Sequence, residues 1–427
     1  MSFTRQQLIF LGVVGAIVLI FLIIFFAGGR RSSTERVELT VWGIDDKVAW
    51  RDTIFQYRRL HSNVRIEYTQ IDPENYEKEL VNALAADRGP DIFMFNSRWL
   101  YKHGDKIAAF PSETMSLSAF SELFPKVAEQ DFLYNGQIYA LPLSVDTLAL
   151  VYNRDIFDGR GVALSPKTWE EFQSLVPRLR TINKQGSLTL AAASIGGPSE
   201  NIPNAADILS LLMFQAGATQ TDEELGTTRI NPNTKEGENA LSFYAQFASP
   251  TSTYYAWSNS FESSTESFAE GKTAMVFVYA YQLPRIKEKN PFLDYAIAPA
   301  PQINPDNPIN IANYWGLAVS TKSLSQNVAW DFVTFAATDK DNAANYLKTT
   351  SRPPALRSLI NDHLSDKDLG VFASQALTAR TWFQVDDIAF QRILNGAIKR
   401  ALGGAPLYQV LRQVDAEIIQ LERELTR

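Results

Sequence analysis

The stretch Tyr134–Phe157, YNGQIYALPLSVDTLALVYNRDIF, decides how the rest of the chain is read. Asn135-Gly136 separates Phe132-Leu133-Tyr134 from Gln137-Ile138-Tyr139, the pattern of a tight two-residue hairpin, because both central positions of that turn need positive φ. Pro142 has no N–H to give to a ladder, so regular pairing stops there. From Thr147 to Tyr152 the run is apolar at nearly every position, which predicts a strand covered on both faces. Asp146 stands at the mouth of that strand, where a carboxylate either caps a turn or faces a ligand.

Upstream, VELTVWG at Val37–Gly43 alternates as a strand. Trp50, Ile54, Tyr57 and Leu60 recur at helical spacing after Lys47, and VRIEYTQ at Val64–Gln70 is a second strand, which makes one βαβ unit. Pro73 opens another helix with Tyr76, Leu80, Ala83 and Leu84 as its buried stripe and Gly89 as its stop. DIFMF at Asp91–Phe95 is a third strand. Downstream, Thr168 and Glu171 have capping-box spacing, helices are expected at Ala205–Gln215 and Thr234–Ala248, and strands at TAMVFV, at Asp294–Ala300 and at YWGLAVS (Tyr314–Ser320). The remainder reads as helix, broken at Arg352-Pro353-Pro354 and Gly403–Pro406. This alternation predicts an α/β protein with mixed, mostly parallel sheets flanked by helices. A chain of 427 residues is long for one core and predicts two lobes.

The net charge of −7, with no stripe of Lys and Arg, argues against a nucleic-acid partner. The absence of cysteine removes disulfides, thiolate metal sites and thiol nucleophiles together. Residues 8–27, LIFLGVVGAIVLIFLIIFFA, carry no charge and at helical rise span roughly the 30 Å hydrocarbon layer. They are longer than the hydrophobic core of a signal peptide, so an uncleaved transmembrane helix is expected. Arg5 on one side and Arg30, Arg31 and Arg36 on the other leave its orientation open by charge alone.

Catalytic signatures are missing. His61, His103 and His363 fall in no ligand-spaced cluster, and no GxSxG, Walker or GxGxxG pattern occurs. Paired carboxylates of a glycosidase remain the one enzyme reading, with Asp45-Asp46 as a candidate member; N-capping of the helix near Lys47 explains them as well. No enzyme activity, metal or cofactor is expected.

From Val37 onward the chain resembles an extracellular solute-binding protein of the maltose-binding type, the receptor component of an ABC importer. The resemblance is carried by VELTVWGIDDK, LVNALAADRGPDIFMF (Leu80–Phe95), Gly136–Phe157, PKTWEEF (Pro166–Phe172), FAEGKTAMVF (Phe268–Phe277) and YWGLAVS. It implies a two-lobe periplasmic-binding-protein-like fold of type II that closes over its ligand. It also implies ligand-facing roles for Asp46 and Lys47, for Arg98 and Trp99 after the third strand, for Asp146 at the first crossing, and for Tyr281, Trp315 and Trp382 as aromatic contacts. The expected organisation is a tail at 1–7, an anchor at 8–27, a linker at 28–36, one lobe from 37–143 and 300–345, and the other from 144–299 and 346–427. The expected protein is a membrane-anchored, outward-facing monomer that binds a small polar solute, foremost a carbohydrate, and passes it to a permease. A polyamine or peptide binder and a sensor component stay open as alternatives.

Overall fold

The structure, a computed structural model, describes residues 36–222 and 227–425. The apolar segment 8–27 lies outside the described residues, among which no helix is long and apolar enough to cross a membrane. In the first lobe, β1 (Val37–Gly43), α1 (Val48–Leu60), β2 (Val64–Gln70), α2 (Tyr76–Ala85) and β3 (Ile92–Asn96) follow one another as the apolar periodicities require. The Asp46 carboxylate accepts from the Val48 amide at 2.8 Å and caps α1, which satisfies one of the helix's orphan donors. The buried side of α1 is Ala49, Trp50, Thr53 and Tyr57, and Leu60, expected in that stripe, is 70% exposed. The chain turns out of α2 at Asp87, with φ 52°, and not at Gly89. A Cβ on Gly89 would stand 2.5 Å from the Leu84 side chain, so close approach explains that glycine.

The hairpin at Asn135-Gly136 forms, with φ of 49° and 71° at its two central residues. Beyond it, β4 (Leu141–Pro142) is a two-residue edge strand, where the missing proline N–H costs nothing. Then β5 (Ala149–Asn153) enters the second lobe. Helices α3 (Trp169–Leu179) and α4 (Ala205–Ala216) pack there, α3 with Thr168 as its cap. β6 (Met275–Val278) and β7 (Tyr295–Ala298) pair on either side of β5. The chain returns as β8 (Trp315–Val319), continues through α5 (Gln326–Thr338) and α6 (Lys340–Thr350), and ends in α7 (Asp387–Leu402) and α8 (Leu407–Leu425).

The sheets are mixed, but parallel pairing is a minority, which corrects the expectation of mostly parallel strands. The first sheet has the order β2-β1-β3-β8-β4, parallel only across β2-β1-β3. The cause is the route of the chain. Helical crossovers make β1, β2 and β3 run the same way, whereas β8 enters from the other lobe at the end where β3 leaves, so Trp315 pairs with Asn96. Both partners of β5 are antiparallel to it.

Two separate cores define the lobes. One buries residues up to Val145 and again from Ala312 to Ala379; the other begins at Leu148, runs to Ile311 and resumes at Trp382. The chain passes from one core to the other between 145 and 148, between 311 and 312, and between 379 and 382. In particular α6 belongs to the first lobe, because Trp50 and Tyr346 meet at 5.3 Å between ring centroids and Tyr346 donates to Asp45 at 2.7 Å. A smaller apolar group around Val151, Val276 and Phe372 covers the second face of the β5 sheet. Neighbouring segments lie side by side at the joint: Thr147 on the first crossing bridges Ala312 on the second, and Pro354 bridges Ser144.

Gly316 sits where β8 is squeezed between β3 and β4, and a Cβ there would lie 2.6 Å from the Leu141 carbonyl oxygen and 2.9 Å from the Phe132 ring. Because a backbone carbonyl cannot step aside as a side chain can, Gly316→Ala is expected to cost about 1 to 3 kcal/mol of stability. A urea midpoint equal to that of the parent would show that the sheet absorbs the methyl group.

Candidate functional site

The C-terminal ends of β1 and β3 and the entry to β8 meet second-lobe residues around a cavity of ≈ 370 Å³. Its first-lobe wall carries Tyr76, Trp99 and Trp315, and its second-lobe wall carries Tyr281 and Asp387. The three aromatic rings of the first lobe brace one another: Trp99 and Trp315 are edge to face at 5.2 Å, and Tyr76 meets Trp315 at 5.7 Å. Tyr281 is 46% exposed and lies parallel to Tyr279 at 5.9 Å, so one face is supported and the other is free. Such rings offer rigid apolar platforms at low entropic cost.

Polar groups at the floor are fixed by buried partners. Asn96 donates to the Asn313 side chain at 3.1 Å. Arg352 pairs with Asp45 at 2.8 Å, and Tyr346 donates to the other Asp45 oxygen. Asp387 differs, since its Oδ1 is buried and accepts from no protein donor. Burial raises the Asp387 carboxyl above its usual range, against the pull of Arg98.

A polar seam closes the lobes beside this cavity. Arg98 of the first lobe pairs with Asp207 on α4 at 3.0 Å, with side chains only 1% and 7% exposed. Tyr279 donates to the second Asp207 oxygen at 2.8 Å, and the Arg98 guanidinium lies over the Trp382 ring. Nearer the rim, Lys102 reaches Glu77 at 2.6 Å and Asp386 at 2.9 Å. Asp386 is also the cap of α7. Although burial opposes it, bonds from His103 and Lys102 hold the Glu77 carboxyl down at about 2.

The residues singled out in the sequence separate into three groups. Trp99, Tyr281 and Trp315 line the cavity. Arg98 and Trp382 stand in the seam, and Trp382 also packs on Phe214 and Phe390. Asp46 and Lys47 are exposed just beyond Ile44 at the cavity edge, with Asp46 engaged as the α1 cap. Asp146 lies under the cavity, 1% exposed, and accepts the amides of Thr147, Ala280 and Tyr281 at 2.9, 2.9 and 3.1 Å. Its carboxylate thus fixes the loop that presents Tyr281. Sequence reasoning missed Tyr76, Asn96, Asn313, Arg352, Asp207 and Asp387. The periodicity of α2 places Tyr76 only in a buried helical stripe, and Arg352 meets Asp45 across 307 residues, so no local pattern announces it. Among the described residues no group of three His, Asp or Glu side chains is placed to hold a metal.

The sequence profile described as bacterial extracellular solute-binding protein matches residues 44–343. Among curated proteins, the maltotriose-binding protein of Pyrococcus abyssi is 22% identical over 316 residues, 72% of this chain and 63% of that protein, so the match spans less than two thirds of its length. The galactooligosaccharide-binding protein of Bacillus subtilis is 24% identical over 351 residues, 79% of this chain and 77% of its own. Among solved structures, the cyclic alpha-maltosyl-1,6-maltose binding protein from Arthrobacter globiformis superposes with a TM-score of 0.74 at 18% identity, covering 90% of this chain and 98% of that one. A cyclo/maltodextrin-binding protein complexed with maltotetraose gives 0.74 at 18%, over 91% and 98%. At these identities the structures establish the two-lobe fold.

Two buried carboxyls give the site a pH signature. Burial pushes Asp146 up from 3.8 to about 7 against its amide donors. It does the same to Asp131, which accepts from Tyr314 and Thr381. Between those values the native state keeps protons that the unfolded chain has lost, so stability falls as pH rises through that window, by up to about 1.4 kcal/mol per pH unit for each group. Glu77, held at about 2, keeps its contribution above its ordinary 4.5 and loses it as pH falls below that value. Urea unfolding at pH 5 is expected to show higher stability than at pH 8, and Asp131→Asn to flatten the difference. A parent profile that is level or rises over this range contradicts the assignment.

Proposed function

Since the chain belongs to the bacterial extracellular solute-binding proteins, we propose that its inter-lobe cleft captures a carbohydrate and delivers it unaltered to an ABC importer. The observation that carries this reading is one cavity faced by Trp99 and Trp315 from the first lobe and by Tyr281 from the second. Pyranose rings have apolar C–H faces and a rim of hydroxyls, so they suit a site that alternates aromatic platforms with fixed amides, a guanidinium and a carboxylate. Asn96, Asn313 and Arg352 would orient hydroxyls from one side, and the free Asp387 Oδ1 would accept one from the other. Asp146 would act through the backbone of Tyr281. Asp46 and Lys47 would meet only a ligand that extends past Ile44. The names of the maltotriose- and galactooligosaccharide-binding relatives support a sugar as the ligand class.

Because contacts come from both lobes, the ligand binds the closed form better and shifts the population toward it. In this reading residues 8–27 tether the protein to the membrane, the linker 28–36 gives it reach, and a monomer meets the permease on the outer side. An amine ligand is the second reading, favoured by Asp387 and the exposed Glu74 in the same wall.

A thermal-shift screen against sugars and polyamines separates the two. A sugar at 100 times its Kd should add about 2.7 kcal/mol of stability, with little response to salt, whereas polyamine binding should weaken steeply as salt rises. With the sugar found, Tyr281→Ala should raise Kd roughly 5- to 30-fold, the loss of about 1 to 2 kcal/mol of ring contact. Stabilisation by polyamines alone would replace the carbohydrate reading with the amine one.

A further inference from the structure

The cleft between the lobes is in two compartments. Segment 96–101 of the first lobe and segment 381–388 of the second run along both of them. Asn96, Trp99 and Asp387 face the ≈ 370 Å³ cavity, while Ser97, Arg98 and Trp382 face a second of ≈ 40 Å³. The Arg98 side chain lines the smaller one, lies close enough to Asp387 in the wall of the larger to act on its charge, and crosses to Asp207, held there by the Tyr279 hydroxyl on Asp207 and the Trp382 face beneath the guanidinium. The small compartment has the character of a cut-off length of cleft. Nε and Nη1 of Arg98 and both amide atoms of Gln384 are buried with no protein partner, and its volume suits about one water, at roughly 30 Å³ each. Buried polar atoms without a protein partner call for an explanation, and a polar cleft cut short supplies one.

We propose that the Arg98–Asp207 pair is a partition that sets ligand length, so that the site takes one or two sugar rings and rejects longer chains. The inference rests on the carbohydrate reading above. At ≈ 370 Å³ the open compartment lies near the lower end of ligand-pocket volumes, roughly 300 to 1,000 Å³, which suits a ligand of one or two rings. A third ring leaving Trp99 toward Trp382 has to pass through the guanidinium. Parting a buried ion pair strands both charges in a low dielectric, a cost that the hydroxyls of one ring do not return.

The experiment is titration calorimetry on the full chain in a detergent without a sugar headgroup. The probes are α-1,4-linked glucose oligomers and β-1,4-linked mannose and galactose oligomers of one to five rings. In the series that binds, affinity should peak at one or two rings and drop by about tenfold or more at three. Replacing both partners, Arg98→Ala with Asp207→Ala, removes the plug without leaving an orphan charge, and should raise the three-ring to two-ring affinity ratio by about tenfold. Equal affinity of the parent for two, three and four rings overturns the partition even if the double variant does not fold. So does an unchanged ratio in a variant with a normal melting curve. Binding of no sugar at any length overturns the carbohydrate reading and the partition with it, whereas binding without a length limit overturns the partition alone.

Discussion

Where the chain first crosses between lobes, one buried carboxylate holds three segments in register. Asp146 takes the amides of Thr147, Ala280 and Tyr281 on its side chain, and its own carbonyl accepts from Asn313 on the second crossing. The segment after α6 lies alongside, with Val145 donating to the Pro353 carbonyl. A carboxylate suits this junction because it accepts several donors at once, whereas loop backbone taken out of water would otherwise strand its N–H groups. The two cores share little apolar contact here, so the relation of one lobe to the other depends on these bonds. Gln375 completes the joint by donating to Thr147 and the Leu148 carbonyl while accepting from Ala300.

Two buried ion pairs then divide the work on either side of the joint. Asp45–Arg352 lies within the first lobe and ties the turn after β1 to the segment after α6. Arg98–Asp207 spans the two lobes. Buried pairs gain little net stability, since desolvation offsets most of the attraction, but they penalise every arrangement in which one partner is left alone. The first pair therefore fixes the shape of a wall, and the second defines a closed arrangement of the lobes. Lys102, shared between Glu77 and the α7 cap Asp386, adds a partly exposed counterpart nearer solvent, where screening leaves it weaker.

Local chemistry made much of this fold legible. Asn135-Gly136 dictates its turn, the apolar run after Thr147 becomes the central strand β5, and Asp46 caps α1 as a residue before a helix should. The direction of β8 was not legible, because it depends on the end of the sheet at which the chain arrives, and periodicity carries no information about that. Nor was the lobe to which α6 belongs, which is decided by Tyr346 meeting Trp50 and Asp45. In the site, aromatic residues at strand ends could be picked out, since Trp99 and Trp315 flank buried strands at positions where loops form clefts. Charged residues could not be sorted in this way. Asp146 and Arg98 stand at suggestive positions, but whether a carboxylate faces a ligand, a backbone or an arginine is settled by partners 109 to 307 residues away only once the chain is folded, with Arg98–Asp207 and Asp45–Arg352 at the two limits.

That sorting of charges bears on what the cleft can hold. Arg352 is neutralised by Asp45, Arg98 by Asp207, and Glu77 by Lys102. Glu74 is exposed, where salt screens it. Of the acidic groups in the wall, Asp387 alone is both sheltered and left with a free oxygen, and burial favours its neutral form. A cation entering the cleft would give up its hydration for a single carboxylate that already resists ionisation, whereas a hydroxyl can donate to it in either protonation state. The remaining surface consists of aromatic faces and side-chain amides, which carry no net charge and reward a ligand that has none. The balance of the site thus favours a neutral polyol with an apolar face, and a sugar ring combines those two properties in one rigid unit.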